Sequence, residues 1–315
     1  MNIVLCGSFF PDVHYYLSKA LPEGQDFKIV AWNGSDKEIP ERADVMIPMM
    51  HKIDADLIDL ARPRLIQQWG SGLEGVDLSH ARRREVAVAN VAAFGGNADS
   101  VAEHAVLLVL ALLRKVNEAQ LNVRGGQLGA PVGTPLFSQT VCLYGLGAIA
   151  LPLSRLLKAF GVRLVGVTRD PNAPKVQNYN VDACYSTEEI LTCLAETDIL
   201  IPCLRQSDNN AGLIGEPELR AMPQGGLLVN VARGGLVQYD ALFSALQDGH
   251  LAGAGLDVFW REPFDPRDPL LSLPNVIATP HIAGITRNSM RDIAQGVAEN
   301  LMRLHRGEPL INRVV

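Results

Sequence analysis

No long cluster of lysine or arginine occurs in these 315 residues, whose net charge is −6. That acidic balance argues against nucleic acid as a partner, and the short Arg82–Arg84 run reads as a solvated surface turn. Cysteine is sparse. The five residues, Cys6, Cys142, Cys184, Cys193 and Cys203, are odd in number and show neither C-x-x-C pairs nor histidines at zinc spacing. A metal site is therefore not expected, and a reducing cytoplasm is the expected compartment. Long apolar runs are missing too. The longest, Ala105–Leu113, is too short to span a bilayer, and MNIVLCG enters a strand with no basic n-region ahead of an apolar stretch. Neither export nor membrane insertion is expected. Repeats and low-complexity segments are absent, and no insertion suggests a third domain.

What is present is a chain 48% hydrophobic, enough for about two domains with sizeable cores. Short apolar runs alternate with amphipathic stretches. NIVLC, DFKIVAW, ADVMIP, RLIQQW and EVAVAN are strand candidates in the first portion, with helical patterns such as DADLIDLAR between several of them. A second series follows: TVCLYG, VRLVGVT, DILIPCL, GLLVNV, LAGAGLDVF and NVIATP. Strands apolar throughout and separated by helices imply α/β architecture with parallel sheets covered on both faces. Between the two series a long helix is expected from near Ser100, where Ser100 and Glu103 have the spacing of a capping box. It continues through HAVLLVLALLRKV, apolar on most faces, and so belongs in a core or a subunit interface, a dimer interface being preferred. The last helix is expected from about Asn288 to Arg306.

Ligands of parallel sheets gather at the carboxyl ends of strands. Gly145-Leu146-Gly147-Ala148-Ile149-Ala150 sits at such an end, between TVCLY and PLSRLLKAFG. Gly145 permits a tight turn, Gly147 lets the backbone approach a pyrophosphate, and Ala150 is small enough to pack against the strand. The phosphates would rest on the helix N-terminus. The next strand ends in VGVTRD. An acid there favours NAD through the ribose hydroxyls, whereas Thr168 followed by Arg169 tilts toward the 2′-phosphate of NADP. An Asp170-Pro171 turn with Arg169 in water is the competing reading. Three later strand ends carry Arg233 in NVARGG, Glu262 in LDVFWREP and His281 in TPHIAG. A cation, a carboxylate and an imidazole suit proton and hydride chemistry on a small oxoacid.

Together these pieces resemble the D-isomer-specific 2-hydroxyacid dehydrogenase family: GSGLEGVD at Gly70–Asp77, SVAEHAVLLVLALLR, GLGAIA, NVARGGLV, GLDVFWREP and TPHIAGIT stand in the family's order. The resemblance implies two Rossmann-like or flavodoxin-like parallel-sheet domains. A nucleotide-binding domain at 98–285 is inserted into a substrate domain made of 1–97 and 286–315. Reducing a 2-oxoacid brings hydride to the carbonyl carbon and a proton to its oxygen, so an acid and a cation are needed. His281 is the expected acid, Glu262 its orienting carboxylate and Arg233 the fork that holds the substrate carboxylate and polarises the carbonyl. The resemblance gives these positions the same roles. It also implies that Asp257 and the Val231 carbonyl hold the nicotinamide carboxamide, that Ser207 assists the pyrophosphate and that Cys203 borders the adenine pocket. Amides of Ser71 and Gly72 can form an anion nest for the substrate carboxylate, with Trp69 as a pocket wall or a core residue.

The chain also departs from the family pattern. Cys203, Arg205 and Gln206 stand where a His, then Pro and Leu, are common, so the adenine pocket is altered; Arg205 is a second phosphate partner or simply exposed. Gln238 replaces a frequent Asp. Met49 and Met50 lie where relatives acting on phosphorylated acids place polar or basic residues, and no regulatory extension follows Val315. Small unphosphorylated oxoacids such as glyoxylate or hydroxypyruvate are the favoured substrates, with NADP or NAD as cofactor and a homodimer as the expected assembly. A dinucleotide-sensing scaffold of the corepressor kind and a phosphite or formate oxidiser are the competing readings, and Glu262 disfavours the formate branch.

Overall fold

A computed structural model describes residues 1–7, 10–34, 42–91 and 96–315. The chain divides into two compact units, one of Met1–Asn97 with Ile285–Val315 and one of Ala98–Gly284. In the first unit β1 (Asn2–Cys6), β2 (Lys28–Trp32), β3 (Val45–Pro48), β4 (Leu65–Gln67) and β5 (Ala87–Ala89) form a parallel sheet in the order β2-β1-β3-β4-β5. This is the flavodoxin-like doubly wound order. The period of two along a strand sends Ile3 and Leu5 to one face and Val4 and Cys6 to the other. The first face is covered by α1 (Val13–Ala20) and α10 (Arg287–Arg306), the second by α2 (Ala55–Ala61) and α3 (Leu78–Arg83).

Local chemistry starts these helices where the sequence allows. Asp54 and Asp77 cap α2 and α3 by accepting the amides of Leu57 and His80, at 3.0 and 2.8 Å. Thr286 caps α10, which buries Met290, Ile293, Ala294, Val297, Ala298 and Leu301, one stripe at helical spacing. A buried hydrogen bond from Asn300 to Gln67, 2.8 Å, fastens α10 behind β4. Beyond it, the Val314 amide donates to the Val88 carbonyl.

The second unit holds a seven-stranded parallel sheet of β6 (Thr140–Tyr144), β7 (Arg163–Val167), β8 (Ala183–Tyr185), β9 (Ile199–Pro202), β10 (Gly226–Asn230), β11 (Leu251–Leu256) and β12 (Val276–Ala278), in the order β12-β11-β10-β9-β6-β7-β8. The chain winds outward from β6 through β7 and β8, then returns to β9 on the other side, so the switch point lies between β6 and β9. One face packs on α4 (Gly96–Leu113) and α6 (Ala150–Ala159). The other packs on α7 (Ile190–Leu194), α8 (Glu216–Ala221) and α9 (Tyr239–Gln247). Glycines in β11 let α4 lie close: a Cβ at Gly255 would come within 3.0 Å of Leu108 Cβ.

Three elements differ from expectation. The helix expected from Ser100 starts at Gly96, which puts Ser100 inside it, buried, rather than at its cap. The same helix stops at Leu113. Lys115, at φ 49°, turns the chain into a separate α5 (Val116–Arg124). Strand β8, absent from the strand candidates, is a three-residue edge whose Ala183, Cys184 and Tyr185 are each only half-buried.

Candidate active site

Gly145, Thr168, Cys203, Arg233, Asp257 and His281 all follow the carboxyl ends of strands in the seven-stranded sheet. Arg233 owes its place to Asn230, the last residue of β10. This almost fully buried side chain donates to the Arg233 carbonyl at 2.8 Å and accepts the Ala232 amide at 3.0 Å, which folds the strand end back on itself. Gly234 then passes directly under the next loop. A Cβ there would lie 2.2 Å from the Phe259 carbonyl carbon, so only glycine permits the approach. The same stretch of chain supports Glu262, whose Oε1 accepts the Phe259 amide at 2.9 Å.

The other carboxylate oxygen of Glu262, Oε2, meets His281 Nδ1 at 2.7 Å, with the two side chains 16% and 31% exposed. Burial pushes the Glu262 carboxyl up. The hydrogen bond and charge of His281, the Phe259 amide and the Arg233 guanidinium outweigh it, leaving the group below the ordinary carboxylate range. Glu262 is thus an anion held between two potential cations. His281 itself sits in the left-handed region at φ 55°, a conformation that costs a non-glycine residue about 1–3 kcal/mol and persists only where neighbours enforce it. Enforcement comes from Asp257, fully buried, which accepts the amides of Ile282 and Ala283 at 2.9 and 2.8 Å. On the other side the Thr279 amide donates to the Leu256 carbonyl at 2.8 Å.

At the switch point Gly145 adopts φ 100°, and a Cβ on it would strike the Leu204 side chain at 2.6 Å. A Cβ on Gly147 would meet nothing closer than the Cys203 carbonyl at 3.5 Å, an ordinary contact, so packing within the chain does not demand glycine there. A backbone left bare without an internal reason fits close approach by a pyrophosphate. Ala148 and Ile149 lead from this turn into α6. Thr168 is half-buried and its amide donates to the Tyr185 carbonyl, while Arg169 is exposed. Asp170 accepts the Asn172 amide at 3.1 Å, the Asp-Pro turn of the competing reading. The Cys203 thiol is packed into the core, where burial pushes it up to about 12, so what Cys203 presents to the glycine turn is its main chain. Ser207 is exposed, its amide and hydroxyl both donating to Asn210 Oδ1. Val231 is buried beside Asn230.

In the first unit, Gly70 (φ 105°), Ser71 and Gly72 follow β4, and the Ser71 carbonyl accepts Asn90 Nδ2 at 3.0 Å. The Trp69 ring packs on the core there, with its indole N–H unpaired among the described residues. Met49 is buried, whereas Met50 is partly exposed at φ 66°. Among the described residues no three His, Cys, Asp or Glu gather as a metal would require, and no helix is long and apolar enough to cross a membrane.

Residues 106–283 match the model of the D-isomer specific 2-hydroxyacid dehydrogenase NAD binding domain. The chain belongs to this family. As a 2-hydroxyacid dehydrogenase it is an NAD(P)-dependent oxidoreductase acting on a CH–OH group. It is 30% identical to a glyoxylate reductase of Korarchaeum cryptofilum, over 93% of each chain. It is 32% identical over 281 residues to a D-3-phosphoglycerate dehydrogenase of Archaeoglobus fulgidus, covering 88% of this chain but only 52% of that longer protein. Among solved structures, an NADPH-dependent glyoxylate/hydroxypyruvate reductase from Sinorhizobium meliloti, in complex with NADP and malonate, superposes with a TM-score of 0.82 at 29% identity, covering 100% of this chain and 96% of that one. Three supporting residues escape a reading of the sequence. Asn230, Thr279 and His104 look like ordinary strand-end and helix residues until their partners are known.

Proposed function

We propose that this dehydrogenase reduces a small unphosphorylated 2-oxoacid of the glyoxylate or hydroxypyruvate class, with NADP preferred over NAD. The observation that carries the reading is the 2.7 Å pair of His281 Nδ1 and Glu262 Oε2 at the carboxyl edge of a dinucleotide-type sheet. With Nδ1 engaged by the carboxylate, proton exchange with the substrate runs through Nε2. His281 gives its proton to the oxygen that forms when the carbonyl is reduced. Glu262, kept anionic, orients the ring and balances its charge. Arg233 holds the substrate carboxylate and draws density from the carbonyl.

The dinucleotide, when bound, supplies the hydride. Residues that would hold it are Gly145, Gly147, Ala148 and Ile149 at the pyrophosphate, Thr168 and Arg169 at the ribose, and Ser207 and the Cys203 main chain nearby; Asp257 and the Val231 carbonyl take the carboxamide. Preference for NADP rests on an exposed Arg169 where an acid would serve NAD. In the first unit, the Ser71 and Gly72 amides are assigned to an anionic group and Trp69 to an apolar wall. Rates of NADPH and NADH oxidation against a panel of 2-oxoacids test the whole reading: turnover of glyoxylate or hydroxypyruvate with NADPH is expected, and no turnover of any oxoacid would overturn it.

A homodimer is part of the proposal. From α4 through α5 and beyond, Leu107, Leu121, Val123, Leu128, Val132 and Phe137 are exposed, Leu128 by 94% and Val132 by 84%. An apolar surface of this extent is what a second copy covers. Light scattering should give twice the chain mass, and Val123→Asp with Leu128→Asp should give the monomer.

A further inference from the structure

His104 lies in the middle of α4, 12% exposed, and belongs to none of the groups assigned to dinucleotide or substrate. Its Nε2 stands 2.9 Å from the hydroxyl of Thr279, which lies 175 residues later in the chain. That hydroxyl donates to Asp257 Oδ1 at 2.6 Å, and His104 Nε2 is itself 3.6 Å from the same oxygen. A threonine hydroxyl has one proton, and here it is committed to the carboxylate. The remaining contact must therefore run from a proton on His104 Nε2 to a lone pair on Thr279 Oγ1. The result is a directed chain, His104 to Thr279 to Asp257.

Asp257 is the end of that chain and also the anchor of the loop beyond His281. Its Oδ1 receives Thr279 and the Ile282 amide, and its Oδ2 receives the Ala283 amide. Three donors converge on one buried carboxylate, and two of them flank His281 in the left-handed conformation. The carboxylate's rotation is coupled to where those amides point, and Thr279 is the side-chain donor that bears on it. Without a donor on His104 the Thr279 hydroxyl can turn, because nothing fixes its second contact. The imidazole would then lose its alignment with Glu262 while the strands stay in place.

We propose that His104 is a positioning residue for His281, acting through Thr279 and Asp257. The proposal rests on His281 being the proton donor. His104→Phe keeps a planar ring and removes the donor, and Thr279→Val removes the relay with little change of shape. Each should lower kcat by about tenfold, the scale of a small misplacement of a reacting group. His104→Gln, which returns an N–H at similar reach, should recover most of the loss. The double variant should fall no further than Thr279→Val alone, because both act on one chain.

Full activity of His104→Phe, a Gln variant as poor as Phe, or additive losses in the double variant would each overturn the proposal. If His104→Phe fails to fold, Thr279→Val and His104→Gln decide it. A second readout does not depend on turnover. In ¹⁵N-histidine spectra His104 should carry its proton on Nε2, and the His281 ring signals should move in Thr279→Val. Unmoved His281 signals reject the positioning role even if no oxoacid is a substrate, whereas moved signals with no turnover reject only the oxidoreductase assignment to an oxoacid.

Discussion

The first strand of each unit is followed by a glycine of positive φ, Gly7 after β1 at 122° and Gly145 after β6 at 100°. The two positions are equivalent in their sheets, yet they do different things. A Cβ on Gly7 would lie 2.4 Å from the Met49 carbonyl oxygen, so the first turn is bare because neighbouring backbone fills the space. The second turn has the same need at Gly145 and then a further glycine, Gly147, that packing does not require. Equal fold positions therefore separate a glycine that packing requires, Gly7, from one that packing does not, Gly147, and it is the second that our proposal gives to the dinucleotide.

Substitutions can break or sharpen that contrast. The largest effect belongs to the chemistry itself. His281→Ala should lower kcat by about a thousandfold, as loss of a general acid does, while the melting curve and dinucleotide binding stay close to those of the parent. Gly234→Ala comes next. Its Cβ would overlap the Phe259 backbone, so a loss of about 3 kcal/mol in denaturant unfolding is expected, together with displacement of Arg233. Gly7→Ala should cost about 2 kcal/mol and leave the dinucleotide Kd unchanged. Gly147→Ala should do the reverse, weakening NADPH by about tenfold in a fluorescence titration with no change in stability. If Gly147→Ala unfolded the protein and bound NADPH normally, the distinction between the two kinds of glycine would be lost.

The smallest effect is electrostatic. The Glu262 carboxyl lies below its unfolded value, so its ionisation stabilises the fold above the carboxylate range, and that contribution is lost as pH falls through the folded value. The stability difference between the parent and Glu262→Gln should therefore shrink on acidification, which thermal melts over a descending pH series would record.

Much of this was legible in the sequence, and each exception has its own physical cause. TVCLY and GLLVN read as strands because both faces are buried, and α10 reads from its stripe and its threonine cap. The run ACY could not announce β8, because an edge strand buries too little to need an apolar pattern. Ser100 and Glu103 have capping-box spacing, but the helix begins four residues ahead of Ser100, at Gly96. Arg233, Glu262 and His281 stand out as polar residues at the ends of apolar runs. Thr279 and His104 do not, since they matter through each other across 175 residues, and Asn230 does not because a polar residue closing a strand gives no sign of the local turn it makes with Ala232 and Arg233.

The first unit is assembled from the two ends of the chain, and that has a bearing on its synthesis. When a ribosome has delivered residues up to 284, the whole seven-stranded sheet is in hand and can collapse on its own side chains. The five-stranded sheet is not so placed. Ile3, Leu5, Val45 and Ile47 still lack Met290, Ile293, Val297 and Leu301, the helix that covers their face. Folding order thus reverses the order of synthesis. The segment made first is the last to find its partners, and for most of the time on the ribosome its apolar face is the one a chaperone would meet.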